Sequence, residues 1–200
     1  MHVHEAIRSR RAIKGFDPEF KLTPAQRDEL LTLAIQAPTA YNLQHWRLVV
    51  VEDPELRKQI RAAAWDQSQI TDASLLVILT GDLASWSKNA ARVWHDAPEP
   101  VRDFMVPAIG AYYEGKLQTQ RDEVMRSAGI LGQTLMLAAR GMGLDSCPMD
   151  GFDFDAVAKL IHLPADHAIA FIVTIGRKTR EPWPKPGQLP LSEVVIHNRF

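Results

Sequence analysis

The apolar positions of this chain follow two periods, and the changes from one period to the other mark out its elements. Leu30, Leu31, Leu33, Ala34 and Ala37 recur at helical spacing behind Thr23-Pro24-Ala25-Gln26, a capping box with proline at the first helical position. They predict a helix that Pro38 stops. Short runs rich in branched residues, Trp46 to Glu52, Ser74 to Thr80 and Ala168 to Ile175, predict buried strands, with a helix over Glu55 to Ala64 between the first two. From Gln118 to Met142, the positions Ala128, Leu131, Leu135, Ala138, Ala139 and Met142 form one face of a long helix. Gly129 and Gly132 interrupt it at about 1 kcal/mol each against alanine, which predicts that another backbone comes close there. Asp153 caps a shorter helix to Ile161. Four prolines, Pro182, Pro184, Pro186 and Pro190, make Glu181 to Pro190 an extended arm, and Ser192 to Ile196 is expected to add as an edge strand.

Strands separated by uneven helical stretches, with a helical middle from Ala84 to Met142, predict an α+β layer fold rather than a regular doubly wound one. With 46% apolar residues among 200, no internal repeat and no linker-like stretch, a single domain over 1–200 is expected. Residues 83–118 are the least regular part. Pro98, Pro100 and Pro107 argue against uninterrupted helix there, and Trp86, Trp94, Phe104, Tyr112 and Tyr113 are expected to be core for the most part.

Composition narrows the partners. A formal net charge of −1 and a pI near 6.7 disfavour a nucleic-acid partner, which needs a basic face. No stretch is long and apolar enough for a membrane span or a signal peptide, so a cytoplasmic location is expected. A single cysteine, Cys147, excludes an internal disulfide framework and is expected to be inert core. The histidines form no ligand pair or Cys/His cluster, so no metal is expected, and His2 and His4 read as a mobile terminus. Gly141-Met142-Gly143 lacks the third glycine of a dinucleotide fingerprint, and neither a P-loop nor a Gly-x-Ser-x-Gly elbow is present.

The charge is nevertheless placed. Arg8, Arg10, Arg11 and Lys14 put four cations into seven positions ahead of Gly15, either as a solvated turn or as an anion site. Pro38 to Trp46 carries hydroxyl, amide and aromatic groups on a proline-bounded loop, which suits binding and equally suits a loop that satisfies its own turns. Pro148-Met149-Asp150-Gly151-Phe152-Asp153 lies between a strand and a helix start, where amides point toward the positive end of a helix dipole.

These three segments, in this order and spacing, resemble the nitroreductase family of flavin-dependent oxidoreductases. Ala37, Pro38, Thr39, Ala40, Asn42, Gln44 and Trp46 match the family's Ala-Pro-Ser-Ser-x-Asn-x-Gln-Pro-Trp signature, with His45 in place of the proline and Ala40 lacking a hydroxyl. Pro148 to Phe152 resembles the family's Pro-x-Glu/Asp-Gly-Phe turn. The resemblance runs from Ala6 to Phe200 and is weakest between Leu83 and Gln118. It implies a three-layer α+β fold with a central, mostly antiparallel sheet, a homodimer with an exchanged C-terminal arm (181–200), and a variable lid over 83–118. It also implies FMN as cofactor, NAD(P)H as electron donor and a small electron-poor acceptor, such as a nitroaromatic or quinone, reduced by a ping-pong mechanism.

Carried onto this sequence, the resemblance puts Arg10 and Arg11 at the FMN phosphate, Lys14 at the N1/O2 edge of the ring and the ribityl chain, and Ala12 within the cofactor site. Pro38, Thr39, Ala40, Asn42 and Gln44 belong to the cofactor site, with Pro38, Thr39, Ala40 and Asn42 reaching the flavin of the other subunit. Asp66 and Gln69 fall at the pyrimidine edge, Asp66 where an amide is commoner. Pro148, Met149, Asp150 and Gly151 lie against the ring, the backbone of Asp150 or Gly151 at N5, and Lys185 on the phosphate. Gly187 stands where a second basic group is often found, a role open to Arg177 or Lys178. No side chain is required as a catalytic acid or base, and Phe104 and Tyr112 are candidate lid residues against the acceptor. A specialised relative, such as a flavin-dependent dehalogenase or flavin-fragmenting enzyme, and a non-enzymatic flavin-binding redox sensor remain alternatives.

Overall fold

In the computed structural model, which describes residues 1–200, the chain runs α1 (Val3–Ser9), α2 (Pro24–Ala34), a 3-10 turn (Ala40–Asn42), β1 (Trp46–Val50), α3 (Pro54–Ala63), α4 (Gln69–Asp72), β2 (Leu75–Asp82), α5 (Ser85–Lys88), α6 (Ala90–Val93), α7 (Glu99–Tyr113), α8 (Leu117–Gly141), β3 (Asp145–Met149), α9 (Phe154–Leu160), β4 (His167–Gly176) and α10 (Leu191–Val194). The Thr23 capping box closes as its sequence requires, with Gln26 N–H on Thr23 Oγ1 and Thr23 N–H on Gln26 Oε1. The four strands form one sheet in the order β1-β2-β4-β3, every pair antiparallel.

β2 is buried along its whole length because the sheet is covered on both faces. Its alternate residues divide between two cores: Leu76 and Ile78 join Ile13, Phe16, Ile60, Ile70 and Phe152 on one face. Leu75, Val77 and Leu79 join Leu30, Ala34, Leu131, Leu135 and Ala139 on the other. Three layers result, with α3, α4 and α9 on one side and α2 and α8 on the other. The ladder between β2 and β4 slips at Leu79/Thr80, a bulge that shifts the outer part of β4 by one residue.

The helix expected over Gln118 to Met142 is α8, but its glycines do a different job from the one expected. A methyl at Gly132 would run into the Phe171 ring and Leu79 Cδ1, both side chains from the sheet, and Gly129 faces nothing within 4 Å. Close packing at Gly132 is therefore helix against sheet.

Residues 83–118 fold into α5, α6 and α7, broken at Trp94–Pro98 as the prolines suggest. Pro107 lies inside α7 without ending it. Val3–Ser9 is helical, so His2 is the residue before a helix and His4 lies within it. Residues 182–190 carry no regular structure, as the prolines dictate, and Trp183 is 90% exposed. The expected edge strand over Ser192 to Ile196 is absent: with no strand to pair with, Leu191–Val194 satisfies its backbone locally in one helical turn, Val195 N–H returning to Leu191 C=O at 2.9 Å.

Candidate functional site

The cationic segment is pinned along β3. Ala12 bridges Ser146 in parallel, Ile13 N–H donates to Ser146 C=O at 3.0 Å, and Ile13 and Phe16 are buried beneath the sheet. Arg140 holds the root of this segment, with Nε on Ser9 Oγ and Nη1 on Asp145, both at 3.0 Å. Arg10 Nη1 is buried without a hydrogen-bond partner. A buried guanidinium donor left unpaired is costly, on the order of 1–3 kcal/mol, so an anion is the chemistry that fits it. Arg11 Nη2 donates to the Trp183 carbonyl at 2.7 Å, and Lys14 is exposed. Both Arg10 and Lys14 bear on Cys147: burial pushes its thiol up to about 11, against the pull of these two cations. Cys147 is therefore a neutral core thiol, as expected, and its electrostatics place the cations beside β3.

β3 leads directly into the turn at Asp150. The amides of Asp150 and Gly151 make no hydrogen bond within the chain. Gly151 lies under the Trp65 ring, where a Cβ would stand 2.7 Å from Cζ3, and Gln67 Nε2 donates to the Gly151 carbonyl at 2.8 Å. Gln69, 3% exposed, donates in turn to Gln67 Oε1 at 3.0 Å. Asp66 is turned away into an ion pair with Arg61 at 2.7 Å. The side-chain amide nearest this turn is Gln67, one residue beyond Asp66, where the sequence reading places Asp66. Trp65 was not singled out from the sequence at all. It is 73% exposed beside Gly151, and both Trp65 and Asp66 hold left-handed backbone (φ 52 and 56), which no glycine announces. α9, which follows the turn, has seven residues, and one of its first-turn amides, at Ala156, is taken by the Asp153 side chain at 2.9 Å.

The loop from Pro38 to Trp46 is built differently. Tyr41, Asn42 and Gln44 have φ of 53, 56 and 48, three non-glycine residues in the left-handed region at roughly 1 kcal/mol or more each. Thr39 Oγ1 accepts from Gln44 N–H at 3.0 Å, while Asn42 is exposed and Gln44 half-buried. Trp94 Nε1 donates to the Tyr41 carbonyl at 2.8 Å, and Leu43 is fully buried in a third small core with Ala90, Ile109 and Tyr113. No hydrogen bond joins this loop to the Arg10–β3–Gly151 group. The residue that replaces proline in the signature, His45, is 3% exposed with Nδ1 3.3 Å from Ser127 Oγ on α8. Its burial lowers its pKa, partly opposed by Glu123 and Asp82.

The remaining candidates are spread out. Lys185 bonds Gln188 on the arm, Arg177 lies over the Phe20 ring, and Lys178 pairs with Glu181, so both alternatives to a base at Gly187 have partners. Phe104 is 72% exposed on α7, and Tyr112 packs edge-on against Tyr113 and beneath Lys116. Asp82, Asp166 and His167 bring possible ligand atoms within 4.8 Å of one another, but Lys88 Nζ already bonds both carboxylates there. These contacts with Lys88 and His167 hold Asp166 down to about 2.

Known proteins match nearly the whole chain. The model of the nitroreductase family matches residues 7–177. The chain is similar to the protein DrgA of Synechocystis, 46% identical over 98% of this chain and 95% of that one. It is also similar to an NADH dehydrogenase of Thermus thermophilus, 34% identical over 84% of this chain and 82% of that one. Among solved structures, one from Exiguobacterium sibiricum that carries the nitroreductase name and holds FMN superposes with a TM-score of 0.89 at 25% identity, over 98% of this chain and 97% of that one.

Proposed function

The chain belongs to the nitroreductase family, and from that premise we propose that it is an FMN-dependent oxidoreductase moving two electrons from NAD(P)H to nitroaromatics, quinones or related electron-poor acceptors. The observation that carries the reading is the unpaired, buried Nη1 of Arg10 on the same strand edge that ends in the unpaired amides of Asp150 and Gly151. A phosphate needs the first, and an electron-rich ring heteroatom needs the second. The FMN seen in the Exiguobacterium structure and the NADH named for the Thermus relative agree with that chemistry.

In this proposal Arg10 and Arg11 grip the phosphate, and Lys14 sets a positive charge at the pyrimidine edge, where it favours an anionic reduced ring. The Gly151 amide shares its peptide plane with the Asp150 carbonyl, which Phe152 N–H holds, and Gln67 fixes the plane after it through the Gly151 carbonyl. FMN, when bound, supplies the two-electron exchange between nicotinamide and acceptor. The protein supplies binding, orientation and electrostatics, and needs no side chain as acid or base. Donor and acceptor use one face in turn, which gives ping-pong kinetics. The exposed Trp183, Leu191, Val194 and Phe200 suit an arm that packs on a second copy, and Pro38, Thr39, Ala40 and Asn42 would then serve the other subunit's flavin.

The test is to purify the protein and titrate its apo form with FMN by fluorescence, alongside Arg10→Ala. Loss of one charge-assisted contact is worth roughly 1.5–3 kcal/mol, about ten- to a hundredfold in affinity. Unchanged affinity in Arg10→Ala would refute the phosphate assignment. A protein that takes up FMN yet oxidises neither NADH nor NADPH with any acceptor would refute the enzyme assignment.

A further inference from the structure

Few segments are as strained as the loop at Tyr41–Gln44, and strained backbone persists only where its surroundings over-determine it. Inside the loop, Asn42 N–H bonds the Thr39 carbonyl and Leu43 N–H the Ala40 carbonyl, each at 3.1 Å. From outside come three bonds: the short one from Trp94 Nε1 to the Tyr41 carbonyl and a long one from the Asn42 amide to the Val93 carbonyl at 3.5 Å, both at the end of α6, and one from Arg47 Nη1 on β1 to the Gln44 carbonyl at 3.2 Å. Leu43 and Tyr41 also pack into the third core, whose other members come from α5, α6 and α7. Tyr41 to Leu43 are thus held by the 83–118 excursion, and only the Gln44 end of the loop is held by the sheet.

We propose that Trp94 is a positioning residue for the cofactor site: its indole N–H holds Tyr41 and Asn42 in left-handed backbone and so aims Thr39 and Asn42 at the flavin of the other subunit. This rests on the FMN reading above. It also gives the excursion a second role: a change in α6 reaches the cofactor through Trp94 without touching it. Removing the donor leaves the Tyr41 carbonyl unpaired and lets residues 41–44 relax toward ordinary right-handed or extended backbone.

Trp94→Phe keeps most of the ring and deletes the donor. It is expected to weaken FMN binding about tenfold, the scale of one buried hydrogen bond left half-made. Amide exchange at Asn42 and Leu43 should speed up while Val77 and Ile172 in the sheet stay protected. Combined with Asn42→Ala, the loss of affinity should be smaller than the product of the two separate losses, because both act through one contact. Trp86→Phe is the control: its Nε1 lies buried without a partner in the same core, so losing it should leave FMN affinity and loop exchange unchanged. Equal losses in Trp86→Phe and Trp94→Phe would assign the effect to packing and overturn the proposal. So would wild-type affinity and loop exchange in Trp94→Phe while Arg10→Ala still weakens FMN, an outcome that leaves the FMN reading standing. Absence of FMN binding by the unaltered protein overturns both. If Trp94→Phe does not fold, indole exchange in the unaltered protein decides: Trp94 should exchange slowly beside a fast, 90% exposed Trp183, and a fast Trp94 overturns the proposal.

Discussion

Replacing glycine by alanine at two helical positions should have opposite effects on this fold. At Gly110 in α7 nothing lies within 4 Å of the new methyl, so helix preference acts alone and Gly110→Ala should stabilise by about 0.5–1 kcal/mol. At Gly132 in α8 the same preference meets steric conflict: the methyl would touch the Phe171 ring, its Cε2 at 2.9 Å, and Leu79 Cδ1 at 2.9 Å. Leu79 is fully buried on the central strand and has nowhere to go, whereas Phe171, only half-buried, is the part able to yield. Overpacking costs about 1–3 kcal/mol, and the helix term offsets about 1 kcal/mol of it, so the net loss is up to about 2 kcal/mol. At about 2–4 °C per kcal/mol for a chain of this size, Gly132→Ala should melt up to about 8 °C lower, and Gly110→Ala a few degrees higher. The assay is thermal unfolding followed by circular dichroism on all three proteins. A Gly132→Ala protein that melts above the parent, as Gly110→Ala should, would show that α8 can lift from the sheet, and the packing argument would be wrong.

His45, whose folded pKa lies below its ordinary 6.5 because burial disfavours the cation, gives a pH effect of definite sign. Between that lowered value and 6.5 the unfolded chain binds the extra proton, so stability is lost as pH falls below about 6.5. His45→Gln should flatten this slope in urea melts taken at about pH 7.5 and about pH 5.5; a slope left unchanged assigns it to other groups. Tyr113→Phe removes a hydroxyl buried without a partner, so it should leave Tm unchanged or raise it, and a fall of several degrees would contradict the reading of that core. Deleting residues 181–200 removes the Trp183 carbonyl from Arg11 and the exposed apolar arm, and should release FMN and yield monomers in light scattering. A truncated protein that stays dimeric and retains FMN would sink the exchanged-arm proposal.

Local chemistry made much of the fold legible. The capping box at Thr23, the branched runs of β1, β2 and β4 and the periodic face of α8 each state their element within a few residues of chain. The same locality explains what stayed hidden. Gly132 faces Phe171, 39 residues away in sequence by difference of their numbers, so its periodicity shows a close approach but not the approaching group. Trp65, Asp66, Tyr41, Asn42 and Gln44 adopt left-handed backbone although none is glycine, a choice imposed by tertiary contacts that propensity opposes. The site's segments are readable singly. Their arrangement is not: the alignment of Arg10 to Lys14 beside β3 rests on the Ala12–Ser146 bridge, and the attachment of the Pro38 loop to α6 rests on Trp94, a residue with no local signal.

The excursion of 83–118 leaves the sheet at the end of β2, where Asp82 pairs with His167 on β4, and rejoins the layers as α8. At that root Asp82 holds Ala84 N–H and Lys88, and Lys88 reaches across to Asp166, so the near end is tied to the sheet, while the far end runs into α8, which is packed on β2 and β4. Closing a loop costs free energy only as the logarithm of its length, about 0.6 kcal/mol for each doubling. Chain length between Leu83 and Gln118 is therefore close to a free variable. Under the proposed FMN reading, insertions and deletions there would remodel the surroundings of the cofactor while the strand register, the Arg10 edge and the Gly151 turn keep their places, which would let one scaffold change its substrates faster than it changes its shape.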